Sequence, residues 1–500
     1  MTAPFKLQQL ATGVPGLDTV LGGGLPELSF NLIAGTPGCG KTTLAHQIMF
    51  ALATPERPAL YFTVLGESPL KMMRYQQQFA FFDHAAINSA VRFVNLSDVA
   101  ATGDLALLLR SIATEVENFG PALVFVDSFR SVVLARASDA AMGLQEFVQQ
   151  LGLLMSGWQA TTFLIGEYAS DVDANPVFTV ADGVLCLSQS VQRNSMVRKL
   201  EISKMRGQAS LPGLHSFRIG PDGVTVFAPV APGALIAPPA DAKKATDARI
   251  GMGVEHLDDM MGGGLPRGYS VLVAGPSGSG KSVLATAFLA EGARCGETGV
   301  LAIFERQPNA LGSSVVAGLV ADGRVAVVNA GAVDLSMDEV LYLILGEIRR
   351  TGATRVVIDS LSGFELALAP TFRADFRESL ARMVTALAST GASVMMTSEL
   401  EDRYTDLRFS PYGTAFLTDA IIVQRYIEVE SQLLRVMAVV KVRASAHSAD
   451  LRQFTIDAGG LRIGDRLPMQ EGLLGGRPTD RSNAPHARAT PPTRLSTGPQ

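Results

Sequence analysis

Gly35-Thr36-Pro37-Gly38-Cys39-Gly40-Lys41-Thr42 is the stretch on which the reading of the chain turns. An apolar run, Phe30-Asn31-Leu32-Ile33-Ala34, precedes it, and a helix-like run from Thr43 to Leu52 follows. Strand, glycine-rich turn and helix form the context in which such an octet is a phosphate-binding loop. Glycines let backbone N–H groups converge on phosphate oxygens, and the helix points its positive end at them. Lys41 is then placed to reach the β- and γ-phosphates, and the Thr42 hydroxyl to ligate Mg²⁺.

The octet is written again. Gly275-Pro276-Ser277-Gly278-Ser279-Gly280-Lys281-Ser282 follows Ser270-Val271-Leu272-Val273-Ala274 and continues into Val283. Lys281 lies 240 positions beyond Lys41 (281 minus 41), and Gly22-Gly23-Gly24-Leu25-Pro26 recurs at the same interval as Gly262-Gly263-Gly264-Leu265-Pro266. One octet could be a chance glycine turn. Two of them, each after a strand and at one repeat spacing, describe a tandem nucleotide-binding protein.

The composition agrees with that. The 500 residues are 47% hydrophobic and 18% charged, enough for large cores. A net charge of −5 gives no global pull toward nucleic acid or anionic lipid. Three cysteines suggest no disulfide framework, and MTAPFKLQQL lacks the pattern of a signal peptide, so a cytoplasmic protein is expected. No stretch of about twenty apolar residues predicts a membrane span. The six histidines show no metal-ligand spacing, so no zinc site is expected, and the single tryptophan, Trp158, reads as core.

Taken in order, the chain alternates strands and helices. Thr12-Gly13-Val14-Pro15-Gly16-Leu17-Asp18 opens the first repeat. Ala59 to Val64 reads as a buried parallel strand, Leu105 to Phe119 as a helix, and Ala122 to Ser128 as a strand ending in Asp127. That ending is a Walker B signature, with Asp127 placed to hold the Mg²⁺ shell through water. Further strands are expected at 161–165, 183–187 and 197–205, and a hairpin over 217–227. In the second repeat, strands are expected at 299–304, 355–360, with Asp359 as the second Walker B aspartate, and 392–397. The expected fold is α/β: two P-loop NTPase domains, each a mostly parallel sheet with helices on both faces and an antiparallel extension toward its C-terminal side. The domains are placed at 1–229 and 249–466, joined by a Pro/Ala-rich linker at 230–248 and followed by a disordered tail at 467–500.

These residues together resemble the KaiC-like proteins within the RecA-like ATPases, over about residues 10 to 465. The likeness rests on Thr12-Gly13-Val14-Pro15-Gly16-Leu17-Asp18, the triple-glycine segments, both loops, both Asp-Ser strand ends, and the Lys204-Met205-Arg206-Gly207 and Lys441-Val442-Arg443-Ala444 segments. The resemblance implies a homohexameric double ring with ATP between subunits, ATPase activity in the first ring and autokinase activity in the second. In clock-bearing relatives it implies KaiB and KaiA as partners.

Hydrolysis at such a site needs a group that orients or deprotonates the attacking water. In RecA-like folds this is a glutamate ending the strand after the loop helix, the place of Glu67 and Glu305; the plain alternative is a solvated surface glutamate. The family carries two adjacent glutamates there. This chain reads Gly66-Glu67 and Glu305-Arg306, so only the second domain keeps the first of the pair. The second domain is therefore expected to be the better equipped for turnover, and the first to bind ATP chiefly for assembly. Lys204 with Arg206, and Lys441 with Arg443, each lie two apart on an expected strand and face one way. They suit a neighbouring subunit's γ-phosphate, the alternative being salt-bridged strand ends. The family's adjacent Ser-Thr acceptor pair precedes a segment matched by Thr418-Asp419-Ala420-Ile421-Ile422, but here Ala415-Phe416-Leu417 stands before it and neither hydroxyl is present.

Three functions fit a chain of this kind. The first is an ATP-hydrolysing hexameric signalling ATPase, with or without serine/threonine autokinase activity and with a KaiB-like partner. The second is a DNA-dependent RecA-like recombination or repair ATPase, against which the pI of about 5.8 and the lack of a Lys/Arg tract argue. The third is a nucleotide-gated scaffold with little turnover.

Overall fold

The computed structural model describes residues 8–64, 69–128, 140–168, 176–192, 195–229, 248–304, 314–329, 334–400, 417–429, 431–467, 470–471 and 479–480. The chain divides into two compact units, the first running to Val230 and the second beginning at Ala231.

Each unit is built on a nine-stranded sheet, and the two sheets have the same strand order. In the first the order from one edge is Val91–Asn95, Ala59–Thr63, Leu123–Asp127, Thr161–Glu167, Phe30–Gly35, Gly183–Gln192, Ser195–Met205, His215–Gly220 and Gly223–Phe227. The strands from Val91–Asn95 through Gly183–Gln192 pair in parallel, and the last three continue antiparallel. The second sheet runs Val325–Asn329, Gly299–Ile303, Arg355–Asp359, Ser393–Glu399, Ser270–Gly275, Ala420–Val429, Gln432–Val442, Arg452–Asp457 and Gly460–Arg466. These are tandem RecA-like α/β domains.

The parallel strands read as continuous apolar runs because both sheet faces are covered. Alternate residues serve opposite cores. Ile33, Tyr61, Phe125 and Phe163 join the loop helix Lys41–Leu52 on one face. Leu32, Phe62, Val124 and Leu164 pack with the helices Leu105–Phe119 and Ala140–Gly157 on the other. A fully buried aromatic contributes roughly 1.5–3 kcal/mol, so the stacked Tyr61, Phe125 and Phe163 fix the registers of three strands.

The expected strands form, with differences at their ends. Those expected at 161–165 and 392–397 run on to Glu167 and Glu399, because the neighbouring phosphate-loop strands still offer pairing at Gly35 and Gly275. The edge strands Val91–Asn95 and Val325–Asn329 were not foreseen, since their half-exposed sequences lack a long apolar run. Within the stretch expected to be disordered, Gln470–Glu471 pairs antiparallel with Thr479–Asp480.

Candidate functional site

In each domain the P-loop follows the central strand and opens a helix at a glycine in the left-handed region, Gly40 at φ 108° and Gly280 at φ 105°. Any other residue is strained there. Space forbids it as well: a Cβ on Gly40 would lie 2.6 Å from Ile219, and one on Gly280 2.5 Å from Ile456. Both isoleucines come from the C-terminal hairpin of their own domain, so the antiparallel extension walls the loop.

The strand ends beside the loop deliver the remaining groups. Asp127 ends its strand opposite Thr63, two strands from the loop, and its Oδ2 accepts from Thr42 Oγ1 at 2.8 Å and from the Tyr61 hydroxyl at 2.8 Å. Lys41 is buried, and its ammonium donates to Thr36 O at 2.8 Å. A cavity of about 390 Å³ is lined by Gly38, Gly40, Lys41, Thr42, Thr43, Asp127, Glu167 and Ile219 among others. In the second domain Lys281 donates to Gly275 O at 3.0 Å and Pro276 O at 2.8 Å. Burial pushes its ammonium below the usual lysine range, while the charges of Glu399 and Asp359 pull it back up. Ser282 and Asp359 line a common smaller cavity.

The loops therefore bring lysine, hydroxyl and aspartate together in both domains. Carboxylate and hydroxyl oxygens are hard donors of the kind Mg²⁺ takes, so this donor set fits that ion. Among the described residues no cluster of three His, Cys, Asp or Glu side chains suits a metal. Thr36, Pro37, Ser277 and Val283 take their expected places in the two loops and the second helix. Cys39 is buried in the core, and burial pushes its thiol up despite the nearby Lys41. Its counterpart Ser279 donates to Gln424 instead.

Glu67 and Glu305 lie outside the described residues, as do Gly66, Arg306, Ser410 and Thr414. Two carboxylates that sequence reading missed are described. Glu167 and Glu399 end the strand next to the phosphate loop, each paired with the loop's first glycine. The signal was present, as each follows an apolar strand, but the expected strands stopped two residues short.

The paired cations sit elsewhere. Lys204 donates to Phe178 O at 3.2 Å and Thr179 O at 3.0 Å, and Lys441 to Thr418 O at 2.6 Å. Arg206 bridges Asp182 at 2.9 Å and Arg443 bridges Asp419 at 3.1 Å. Asp182 and Asp419 in turn accept from Phe30 N and Ser270 N, at the start of the loop strands. That end is five residues, roughly 16 Å, from the phosphate loop. Burial, then the neighbouring arginine, pushes both ammonium groups down. Thr418 is fully buried.

Fold, loop and aspartate define a tandem protein of the P-loop NTPase class. The family model described as "ATPase: KaiC" matches residues 10–231 and again 250–467. The chain belongs to the KaiC ATPase family. It is 27% identical to the circadian clock oscillator protein KaiC of Picosynechococcus sp. over 492 residues, covering 95% of this chain and 93% of the relative. It is equally 27% identical to KaiC 1 of Synechocystis sp. over 492 residues, with 95% and 92% covered. KaiC of Thermostichus vulcanus is 25% identical over 493 residues, with 95% and 92% covered.

Proposed function

We propose that this chain is a Mg²⁺-dependent ATPase working as a homohexamer with ATP between subunits, and that its second domain carries most of the turnover. The observation that supports this best is the duplicated convergence of a buried lysine, a hydroxyl and a strand-end aspartate on a glycine loop. In the proposed reaction water attacks the γ-phosphorus, the bond to the β,γ-bridging oxygen breaks, and ADP and phosphate leave. Glu305 takes the water's proton, with Glu67 as its less well-equipped counterpart. Lys41 and Lys281 offset the phosphate charge, and the loop N–H groups orient it. Thr42 with Asp127, and Ser282 with Asp359, would hold the metal, which when bound would supply neutralising charge to the phosphates.

Lys204, Arg206, Lys441 and Arg443 are proposed to act at a neighbouring subunit's ATP, for which Arg206 and Arg443 would leave the pairs with Asp182 and Asp419 that they make as salt-bridged strand ends. The relatives are clock oscillator proteins, so a signalling output through a KaiB-like partner is the proposed context. Serine/threonine autokinase activity of the second domain is not proposed, because the acceptor hydroxyls are missing from the sequence.

The test incubates purified protein with γ-labelled ATP and follows free phosphate and label retained on the chain. The expected result is released phosphate without stoichiometric retained label. Label on Ser410, Thr414 or Thr418 would show an autokinase. Strong stimulation by single-stranded DNA would favour the recombination reading.

A further inference from the structure

We infer that the two domains steady their metal-holding aspartate from opposite sides, and that Tyr61 is the positioning residue that pre-forms the metal site of the first domain. The inference rests on the ATP–Mg²⁺ reading above.

A carboxylate at the end of an inner parallel strand has two neighbouring strands from which it can be held. Asp127 lies between Ala59–Thr63 and Thr161–Glu167, opposite Thr63 on one side and Ile165 on the other. Tyr61, two residues before Thr63, donates its hydroxyl to Asp127 Oδ2 at 2.8 Å. Ile165 has nothing to donate. In the second domain the register-equivalent residues are Leu301 and Thr397. Leucine cannot donate, and Thr397 Oγ1 donates to Asp359 Oδ1 instead. The donor has changed strands between the two repeats.

The consequence lies in the hydroxyl that meets the metal. In the first domain Asp127 Oδ2 receives Thr42 Oγ1 at 2.8 Å together with Tyr61. The Thr42 hydrogen is thereby committed to the aspartate, and its lone pairs are left for a cation. Among the described residues no hydrogen bond joins Ser282 to Asp359. Tyr61 is itself enclosed by packing: it is fully buried, 5.8 Å from the Phe125 ring and 4.6 Å from the His46 ring between centroids. Ligands already joined and held lose less freedom on binding. The first domain therefore takes its metal–nucleotide at a lower Mg²⁺ concentration than the second, a property suited to a domain that retains ATP.

The experiment titrates Mg²⁺ into the full chain with a fluorescent ATP analogue. Lys281→Ala silences the second site for reading the first, and Lys41→Ala does the converse. Tyr61→Phe, which removes one oxygen from a packed ring, is expected to raise the Mg²⁺ half-saturation of the first site about fivefold, near the roughly 1 kcal/mol of one hydrogen bond. Analogue binding in EDTA should be unchanged, which a merely structural role would not leave so. Thr397→Val should shift the second site and leave the first alone. An unaltered Mg²⁺ dependence in Tyr61→Phe overturns the inference, as does an equal weakening with and without metal. Failure of the wild-type chain to bind the analogue at all would remove the ATP reading itself, a distinct result.

Discussion

At the base of the second sheet Arg355 is buried, its guanidinium bonded to Glu297 at 2.6 Å, to Gly251 O and Phe288 O, and set over the Phe288 ring. The same place in the first sheet holds Leu123. The first loop helix buries His46 among Tyr61, Phe50 and Phe93, where the second carries Thr286. The backbone of the glycine loop is thus duplicated, with its helix-opening glycine at φ 108° and 105°, while the groups packed beneath it are not. Chemistry at the loop demands the same geometry twice; stability underneath can be reached by an ion pair or by aromatic packing.

The largest effect that would sharpen the comparison is on turnover. Lys281→Ala should lower phosphate release by at least about a hundredfold, the scale of losing a charge aimed at the reacting phosphate. Lys41→Ala should cost far less turnover and instead weaken assembly, measured by light scattering with and without ATP. Equal losses of turnover would break the asymmetry.

Next comes Arg355→Ala, which leaves Glu297 with Arg267 alone and takes the donor from Gly251 O and Phe288 O beside a cavity. Because Arg267 still pairs with Glu297, the cost is expected near the low end for a broken buried pair, about 3 kcal/mol, so the second domain should unfold at lower denaturant, followed by circular dichroism. The matching Leu123→Ala should cost about 2–5 kcal/mol through lost packing alone and, unlike Arg355→Ala, carry no added pH dependence.

Acid separates the domains by a smaller amount. Burial pushes the His46 imidazole from 6.5 down to about 3, against a weak opposing pull from Gln76. The unfolded chain takes up this proton below its ordinary pKa and the folded chain does not. The stability His46 allows is whole above pH 6.5 and falls by up to about 1.4 kcal/mol per pH unit as pH drops toward 3. For Glu297, burial works against the charge, but the hydrogen bonds and charges of Arg355 and Arg267 outweigh it and hold the carboxyl below 4.5. Its contribution is present above that value and is lost as pH falls through the lowered one. The first domain should therefore loosen at the higher pH. Trp158, the single tryptophan, reports on it alone by fluorescence, and His46→Leu should move that transition to lower pH.

Smallest is Gly40→Ala beside Gly280→Ala. Each meets the left-handed backbone and a hairpin isoleucine, so each should weaken nucleotide binding several-fold, at roughly 1–2 kcal/mol of strain. Unequal effects would show that the loops are less alike than their backbones.

How much of this was legible in the sequence follows from the range of the interactions. The loops, the strand-end aspartates and the tandem arrangement are local patterns that occur twice, and each repeat checked the other. Ile219 and Ile456 reach their loops across more than 170 residues of chain, and nothing near them in sequence says so. Tyr61 and Thr397 look like ordinary strand residues until the register sets them beside Asp127 and Asp359. Glu167 and Glu399 were missed because an apolar run marks where a strand is buried, whereas its end is set by what the neighbouring strand still pairs.

Hydrolysis is proposed to belong to the second domain. Its most direct test is single-turnover phosphate release from the full chain in which either Glu305→Gln or Glu67→Gln is the only change. Glu305→Gln is expected to abolish most of the release and Glu67→Gln to leave most of it. Release surviving Glu305→Gln and lost with Glu67→Gln would contradict it and place the working site in the first domain.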